Sequence, residues 1–355
     1  MRVGILTSGG DCQALNATMR GLALTLYRNV KDVEIIGFID GYKGLMYEKY
    51  KKMKPKDFYD ILNVGGSILG NSRCPFKRMR IIENGFDKVK AMKNTYKKLE
   101  LDCLVVLGGN GSIKSANMLS QEGLNVIALP KTIDNDAWGT DYTFGYSSAT
   151  AIATRYLDEI KTTAASHSRV FVIEVMGHRV GHICLSAGIA AGADVILLPE
   201  IPYDIKVVAK KVKETLKNEK NYAIIACAEG AISEADALMK RKDYKAKVLA
   251  RNGRSVAYEV ADELSQEIDA EIRVSCIGHA QRGGNPDSYD REISTRFGVE
   301  GARLIIKKHY CEYVVLQGNH VTHIPLEATA GKLKFVDTEG EIVQSAKLVG
   351  ISFGE

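Results

Sequence analysis

The residues best suited to chemistry lie in a few short loops. Residues 108–112 (GGNGS) hold three glycines after an apolar run and before a helical pattern. Glycines let main-chain N–H groups approach an anion, and the dipole of a following helix attracts it. The loop therefore predicts phosphate binding. Residues 9–11 (GGD) have the same setting, but they match neither a Walker A loop nor the dinucleotide fingerprint, and an ordinary tight turn explains them equally well.

A second loop, residues 132–136 (TIDND), places Asp134 and Asp136 two positions apart. In an extended segment both side chains project to one side. One carboxylate could act as a general base and the other as a metal ligand, with a cation nearby to offset their repulsion. The alternative is a surface turn rich in Asp and Asn. Because the loop directly follows an apolar run, we favour the functional interpretation.

Cations for a phosphorylated substrate come from residues 278–284 (GHAQRGG) and from His178, Arg169 and Arg273. Arginine pairs with phosphate through two hydrogen bonds. Arg169 and Arg273 each stand at the start of an apolar run, so a structural salt bridge is the alternative role for both. Glu229 could bind sugar hydroxyls or could simply begin a helix.

The elements that position these loops alternate. Continuous apolar runs predict strands buried on both faces, and helical patterns separate them. The predicted strands are residues 1–6, 34–39, 102–107, 125–129, 169–175, 194–198, 222–228 and 273–277; the helices are 16–28, 112–122, 147–165, 205–217, 255–268 and 289–308. Asn16 is a candidate cap for the first helix. This order predicts an α/β fold with mostly parallel sheets, whose ligands bind beyond the carboxyl ends of the strands.

Composition narrows the class of protein. The 355 residues are 45% hydrophobic and 26% charged, which is typical of a folded domain. A net charge of +5 is too small to indicate nucleic-acid binding. No apolar run is long enough to span a membrane and no secretory signal is evident, so we expect a cytoplasmic protein with no membrane partner. The seven cysteines lie singly without zinc spacing, which favours reduced thiols.

These loops, in this order, resemble the phosphofructokinase family. The matching segments are residues 4–21, 37–44, 108–112, 130–136, 166–181, 188–200 and 278–286. The resemblance implies two Rossmann-like domains: a phosphoryl-donor-binding domain (1–140 plus 281–330) and a sugar-phosphate-binding domain (141–280 plus 331–355). It also implies phosphoryl transfer from ATP, with Mg²⁺, to the 1-hydroxyl of fructose 6-phosphate in glycolysis, by a homo-oligomer that is usually a tetramer.

The resemblance assigns roles to individual residues. Asp134 matches the general base, with Thr132 beside it, and Asn110 and Asp136 match the positions around magnesium. The ATP-binding positions are Gly10, Tyr42, Arg73, Cys74, Gly109, Asn110, Gly111 and Ser112. The substrate-binding positions are Thr132, Ile133, Asp134, Asp136, Arg169, Met176, Gly177, His178, Glu229, Arg273, His279, Gln281 and Arg282. Arg169 and Arg273 match arginines that reach the sugar site from a neighbouring subunit.

Two positions depart from the family pattern. Asn110 replaces an Asp that usually holds magnesium through its water shell, and His178 replaces an Arg. An amide oxygen can still accept a hydrogen bond from a metal-bound water, but it carries no charge.

Gly111 and Lys131 bear on the choice of phosphoryl donor. In the pyrophosphate-dependent members of the family that this chain resembles, Asp stands at the position that matches Gly111 and Lys at the position that matches Lys131. Gly111 leaves room for the α-phosphate of ATP, and Lys131 is compatible with either donor. We therefore predict ATP, with pyrophosphate as the alternative. A non-catalytic sugar-phosphate-binding paralogue is a further alternative, although Thr132, Asp134 and Asp136 are all retained. A nicotinamide dehydrogenase is disfavoured because its glycine fingerprint is missing.

Overall fold

Strands and helices alternate along most of the chain, as the apolar runs predict. The structure, a computed structural model, describes residues 1–218, 220–329 and 331–355. Two units share the chain: Met1–Ser148 with Arg282–Lys334 form unit 1, and Ala149–Gln281 with Phe335–Glu355 form unit 2. Each unit has a mainly parallel sheet flanked by helices, which confirms the predicted fold class.

Unit 1 contains a seven-stranded sheet of order β11-β10-β5-β4-β1-β2-β3. Neighbouring strands run parallel except at the two edges, where β3 and β11 are antiparallel to their partners. All six residues of β4 and all five of β5 are buried. The strands are β1 (Arg2–Ser8), β2 (Glu34–Phe38), β3 (Tyr50–Met53), β4 (Cys103–Gly108), β5 (Val126–Pro130), β10 (Glu312–Gln317) and β11 (His320–Pro325).

The helices of unit 1 cover this sheet with apolar faces. Met92 of α3 and Leu119 of α4, for example, are fully buried in the same core as Val106 of the sheet. The helices are α1 (Leu15–Asn29), α2 (Tyr42–Met46), α3 (Lys88–Lys98), α4 (Asn110–Gln121), α11 (Ser288–Ile306) and α12 (Leu326–Thr329), with 3₁₀ turns at Pro55–Phe58 and Phe76–Arg78.

Unit 2 contains a four-stranded parallel sheet of order β7-β8-β6-β9, with β8 and β6 at its centre. All six residues of β8 and five of the six residues of β6 are buried. Its strands are β6 (Val170–Val175), β7 (Val195–Leu197), β8 (Ala223–Ala228) and β9 (Ile272–Cys276). Its helices are α5 (Tyr146–His167, which begins in unit 1), α6 (His182–Ala190), α7 (Ile205–Asn218), α8 (Glu234–Ala237), α9 (Arg241–Ala250), α10 (Val256–Leu264) and α13 (Glu341–Leu348). A 3₁₀ turn at Gly278–Arg282 ends at the first residue of the second segment of unit 1.

The capping prediction for Asn16 was wrong. Helix α1 begins at Leu15, so Asn16 lies inside it. The Asn16 amide nitrogen donates to the carbonyl oxygens of Val64 (2.8 Å) and Gly65 (3.2 Å), and its oxygen accepts from the main-chain N–H of Ile68 (2.9 Å). Asn16 therefore anchors a distant loop, and long-range contacts of this kind leave no local signal in a sequence.

Candidate active site

The register of the strands in unit 1 brings its predicted glycine and aspartate loops to one edge of the sheet. Gly108 of β4 pairs with Ser8 of β1 on one side and with Pro130 of β5 on the other. The three parallel strands therefore end level with one another, and residues 9–11, 109–112 and 131–136 follow directly. This is the carboxyl edge at which ligands of parallel sheets bind.

The glycine loop forms the first turn of α4. Gly109 is the residue before the helix, and its carbonyl accepts the N–H groups of Ser112 (2.9 Å) and Ile113 (3.0 Å). The buried Tyr42 hydroxyl donates to the Ser112 carbonyl at 2.8 Å. Tyr42 is thus placed to hold the loop through its main chain. Amides at the start of a helix that point toward a ligand provide a site for an anion.

Gly111 has open space around it. A Cβ at this position would meet no heavy atom of the described residues within 4 Å beyond its own helix and chain neighbours. Gly111 is exposed at the start of α4. The space beside Gly111, which the resemblance assigns to the α-phosphate of ATP, is therefore free of other described residues.

Two cationic side chains, those of Lys131 and Arg282, bind main-chain carbonyls of the loop at residues 9–11. The ammonium of the buried Lys131 donates to the carbonyl of Gly10, and Arg282 Nη1 donates to the carbonyl of Asp11 at 3.0 Å. Burial lowers the pKa of Lys131 to about 8, and the Arg282 charge acts in the same direction. A Cβ on Gly10 would lie only 2.8 Å from the Arg282 guanidinium, so a larger residue there would displace this side chain.

The carboxylate loop differs from its predicted extended form. The main-chain N–H of Asp134 bonds the Thr132 hydroxyl at 3.1 Å, and Asn135 has a left-handed φ of 53°. The chain therefore turns between Asp134 and Asp136, and a shared direction for their side chains no longer follows from spacing alone. Both aspartates are half-buried, whereas the Ile133 side chain is fully buried in the core.

Arg73 and Cys74 reach the same edge through a neighbouring segment. Gly9 donates its N–H to the carbonyl of Ser72 at 3.1 Å, and the Ser72 hydroxyl donates to the carbonyl of Asp40 at 2.5 Å. Arg73 is exposed and Cys74 is half-buried. All seven cysteines are free thiols.

Sequence reasoning missed residues 331–334. The Asn110 side-chain amide donates to the Lys332 carbonyl at 2.7 Å, and the Lys334 N–H donates to the Asp136 carbonyl at 2.9 Å. The segment (GKLK) contains no recognisable motif and lies far along the chain from both partners. No signal in the sequence could have placed it here.

In unit 2, strands β6 and β8 bring two predicted site loops together. Val175 pairs with Ala228, so residues 176–178 and Glu229 follow adjacent strand ends. The Glu229 carboxylate accepts the main-chain N–H of Gly177 at 3.2 Å and that of His178. His178 is exposed and has a left-handed φ of 54°, and Met176 is half-buried. Glu229 therefore shapes this loop through its main chain.

His279 and Gln281 follow the next strand of the same sheet. Strand β9 pairs with β6, with Cys276 opposite Glu174, and His279 is exposed beyond its end. Gln281 is buried and donates to the carbonyl of Gly278 at 3.2 Å. Four of the predicted sugar-site segments of unit 2 thus share one edge: residues 176–178, Glu229, His279 and Gln281.

Arg169 and Arg273 lie at the opposite edge. Arg169 directly precedes β6, and Arg273 is the second residue of β9. Both guanidinium groups bind Glu271, Arg169 through its Nε at 2.7 Å. The salt bridge that the sequence left open is present.

Asp136 and Asn110 are the residues that the resemblance places around magnesium. Across residues 1–218, 220–329 and 331–355, no three His, Cys, Asp or Glu side chains are arranged to hold a metal ion. Mg²⁺ is usually bound by one or two carboxylates together with waters and substrate phosphates. The Asp136 carboxylate and the Asn110 amide oxygen fit that pattern.

None of the helices in the described parts of the chain is long and apolar enough to cross a membrane.

Comparison with known proteins gives consistent matches. The family model for phosphofructokinase matches residues 2–305. The ATP-dependent 6-phosphofructokinase of Spirochaeta thermophila is 46% identical over 99% of this chain and 97% of its own length. The ATP-dependent 6-phosphofructokinase 3 of Bacteroides thetaiotaomicron is 42% identical over the whole of both chains.

A solved structure agrees with these matches. The T-state phosphofructokinase of Pichia pastoris superimposes with a TM-score of 0.80 at 29% identity over 93% of this chain. This chain spans 35% of the Pichia protein's length. With the family model matching most of the chain and relatives similar along their full length, the chain belongs to the phosphofructokinase family.

Proposed function

We propose that this protein is an ATP-dependent 6-phosphofructokinase that converts fructose 6-phosphate to fructose 1,6-bisphosphate in glycolysis. The observation that carries this proposal is the level ending of β1, β4 and β5, which gathers a glycine loop, a buried lysine and the aspartate loop at one sheet edge. Relatives that are similar along their full length carry the same activity in their names.

The chemistry needs a base, a phosphate cradle and neutralising charge. Asp134 accepts the proton of the sugar 1-hydroxyl, and that oxygen forms a bond to the γ-phosphorus of ATP as the bond to the bridging oxygen breaks and ADP leaves. Thr132 fixes the turn at Asp134 through its hydroxyl. Phosphoryl transfer relies on positioning and charge rather than on covalent work by the protein.

The α4 amino terminus and Lys131 serve the donor. The amides of residues 110 and 111 face the phosphates, helped by the helix dipole. Asp136, and Asn110 through metal-bound waters, would hold Mg²⁺, which would supply further charge neutralisation. Arg282 sits next to Gly10, and its guanidinium adds positive charge near the transferred group.

The sugar phosphate belongs to unit 2 in this proposal. Glu229, residues 176–178, His279 and Gln281 share one sheet edge that suits hydroxyl and phosphate recognition. Arg169 and Arg273 come from a neighbouring subunit of a homo-oligomer, which we expect to be a tetramer. The cytoplasmic location stays a prediction.

A specific observation keeps pyrophosphate as a second candidate donor. Lys131 is buried directly behind residues 9 and 10, where its charge would serve a compact donor as well as ATP. Gly111, with its open surroundings, favours ATP because no side chain blocks an α-phosphate.

A donor assay tests the proposal. Purified protein is incubated with fructose 6-phosphate and either ATP or pyrophosphate, each with and without Mg²⁺, and fructose 1,6-bisphosphate is measured. We expect Mg²⁺-dependent product with ATP. Product with pyrophosphate alone would move the assignment to the second donor. Binding of fructose 6-phosphate without turnover with either donor would identify a non-catalytic paralogue.

A further inference from the structure

The segment 331–334 is fastened to both predicted magnesium positions of unit 1. The Asn110 Nδ2 donates to the Lys332 carbonyl at 2.7 Å. The N–H of Lys334 donates to the Asp136 carbonyl at 2.9 Å, and Leu333 forms an antiparallel bridge with Ala137. One short stretch of chain therefore contacts the start of α4 and the residues that follow the aspartate loop.

Side chains reinforce this attachment. The Lys334 ammonium donates to the carbonyls of Thr140 (2.9 Å) and Asp141 (2.8 Å). Burial lowers the pKa of Lys334 to about 8, while the charges of Asp141 and Asp136 oppose that change. The Lys332 ammonium lies 4.1 Å from the centre of the Trp138 ring, a distance suited to a cation–π contact.

The bond to Lys332 requires a hydrogen-bond donor at position 110. A carbonyl oxygen only accepts hydrogen bonds, so it must meet the Asn110 NH₂ group. This orientation turns the Asn110 amide oxygen away from Lys332. An ionised aspartate would instead place an oxygen against the carbonyl oxygen, and the carbonyl would lose its donor. The Lys332 carbonyl therefore gives a reason for Asn at a position where the family usually has Asp.

We propose that residues 331–334 are a positioning segment of the phosphoryl-donor site and that Asn110 ties this segment to the start of α4. This inference rests on the proposed function. The segment fixes residue 110 and the Asp136 main chain relative to each other, so that both face one bound donor. In this assignment the Asn110 oxygen would be free to accept hydrogen bonds from metal-bound waters, and Lys334 is a positioning residue that acts through residues 136–141.

The single tryptophan of the chain allows a direct test. Trp138 is partly exposed and contacts Lys332, so its quenching by acrylamide reports whether the segment stays in place. The variants are Asn110→Asp and Lys334→Met, the second of which removes the ammonium but keeps an unbranched chain. For each variant we would measure Trp138 quenching, the KM values for ATP and fructose 6-phosphate, and the affinity for ADP without Mg²⁺.

The matched control is Asn125→Asp. The Asn125 amide also donates to a main-chain carbonyl, that of Asp102, at 2.9 Å. It directly precedes β5, at the amino edge of the same sheet. The control therefore makes the same exchange and breaks the same kind of bond away from the donor loops.

We expect Trp138 quenching to increase about twofold in both variants and the KM for ATP to rise roughly tenfold, with the KM for fructose 6-phosphate unchanged. The Asn125→Asp control should match the wild type in every measurement. Unchanged quenching and an unchanged KM for ATP in both variants would overturn the proposal. So would equal rises in both KM values, because they would indicate a general structural defect.

Failure of the proposed function would look different. If the wild type turned over neither ATP nor pyrophosphate, the kinase assignment would fail. The quenching and ADP measurements would still decide the role of the segment. Weaker ADP binding together with a more accessible Trp138 would support it, and wild-type values of both would reject it.

Discussion

Arg169 binds Glu271 through its guanidinium Nε, 2.7 Å from a carboxylate oxygen, at the amino edge of the sheet of unit 2. Arg273 binds the other oxygen of the same carboxylate. The loop at residues 176–178 lies beyond the far end of β6, a strand of six residues. At about 3.3 Å per residue, the strand separates the two edges by roughly 20 Å. Within one unit 2, the arginines therefore cannot share a ligand with that loop.

This separation leads to a prediction about subunits. Arg169 and Arg273 should complete the sugar site of a neighbouring chain. Arg273→Ala should therefore inactivate a homo-oligomer because the sugar site loses an arginine, and Asp134→Asn should inactivate it because the site loses its base. After mixing with subunit exchange, some sites would combine an intact base with an intact arginine. We expect partial recovery of activity in the mixture, measured as product formed per active-site concentration.

The control for this experiment is the same mixture kept under conditions that block exchange, which should stay inactive. Exchange itself is verified with differently tagged chains. If proven hybrids recover no activity, Arg273 and Asp134 act in the same chain and the subunit assignment fails.

Asp134 should be the general base. In Asp134→Asn the side chain keeps its size but cannot accept the hydroxyl proton, so kcat should fall by roughly 10²–10⁴. The KM for fructose 6-phosphate should change little, because the amide still accepts a hydrogen bond. Steady-state kinetics decide the outcome, with Asp60→Asn at an exposed aspartate as the control. Wild-type kcat in Asp134→Asn would remove this residue from the mechanism.

Local sequence patterns were enough to predict the alternation of strands and helices. Fully apolar runs such as β4 and β8 can only be satisfied by burial on both faces, and that requirement fixes a parallel sheet with helices around it. Strands β3, β10 and β11 were not predicted. Three of the four residues of β3 are exposed, so its sequence (YKKM) carries no apolar run.

The loops at the strand ends were predictable because their glycine and acidic residues break the apolar pattern. Their conformation was not: Asn135 adopts a left-handed φ that turns the chain between the two aspartates. The attachment of Asn110 to Lys332 spans 222 residues of sequence. Contacts at such distances depend on the tertiary fold, and neither partner's neighbours indicate them.

Lys131 should give the reaction an alkaline limit. Burial lowers its pKa to about 8, so its charge is present below that pH and is lost as the pH rises through it. If this charge assists the donor phosphates, kcat/KM for the donor should decline above about pH 8. A Lys131→Arg variant stays charged and should lose this decline, because arginine does not deprotonate in that range.

The matched variant Lys131→Met separates charge from packing. It should lower kcat/KM for the donor below about pH 8, approach the wild-type value as the pH rises above that point, and show no decline of its own there. A pH profile of kcat/KM at saturating Mg²⁺ provides the test. An alkaline decline that persists unchanged in Lys131→Met would assign the titration to a different group.

Gly111 should set the choice of donor. The position is exposed, its Cβ would meet open space, and it lies in the first turn of α4, where a carboxylate suits the helix dipole. Gly111→Asp should therefore fold normally and act on the ligand alone. Its carboxylate would occupy the space for the α-phosphate of ATP and repel that charge at short range. We expect kcat/KM for ATP to fall at least about 100-fold, in line with several kcal/mol of like-charge repulsion, while any pyrophosphate activity survives or rises with Lys131 in place.

Gly111→Asn adds nearly the same volume without charge and should lose less ATP activity. Parallel kinetics with both donors measure the outcome. Intact ATP use in Gly111→Asp would show that donor choice is determined elsewhere, and equal losses in the two variants would assign the effect to size rather than to charge.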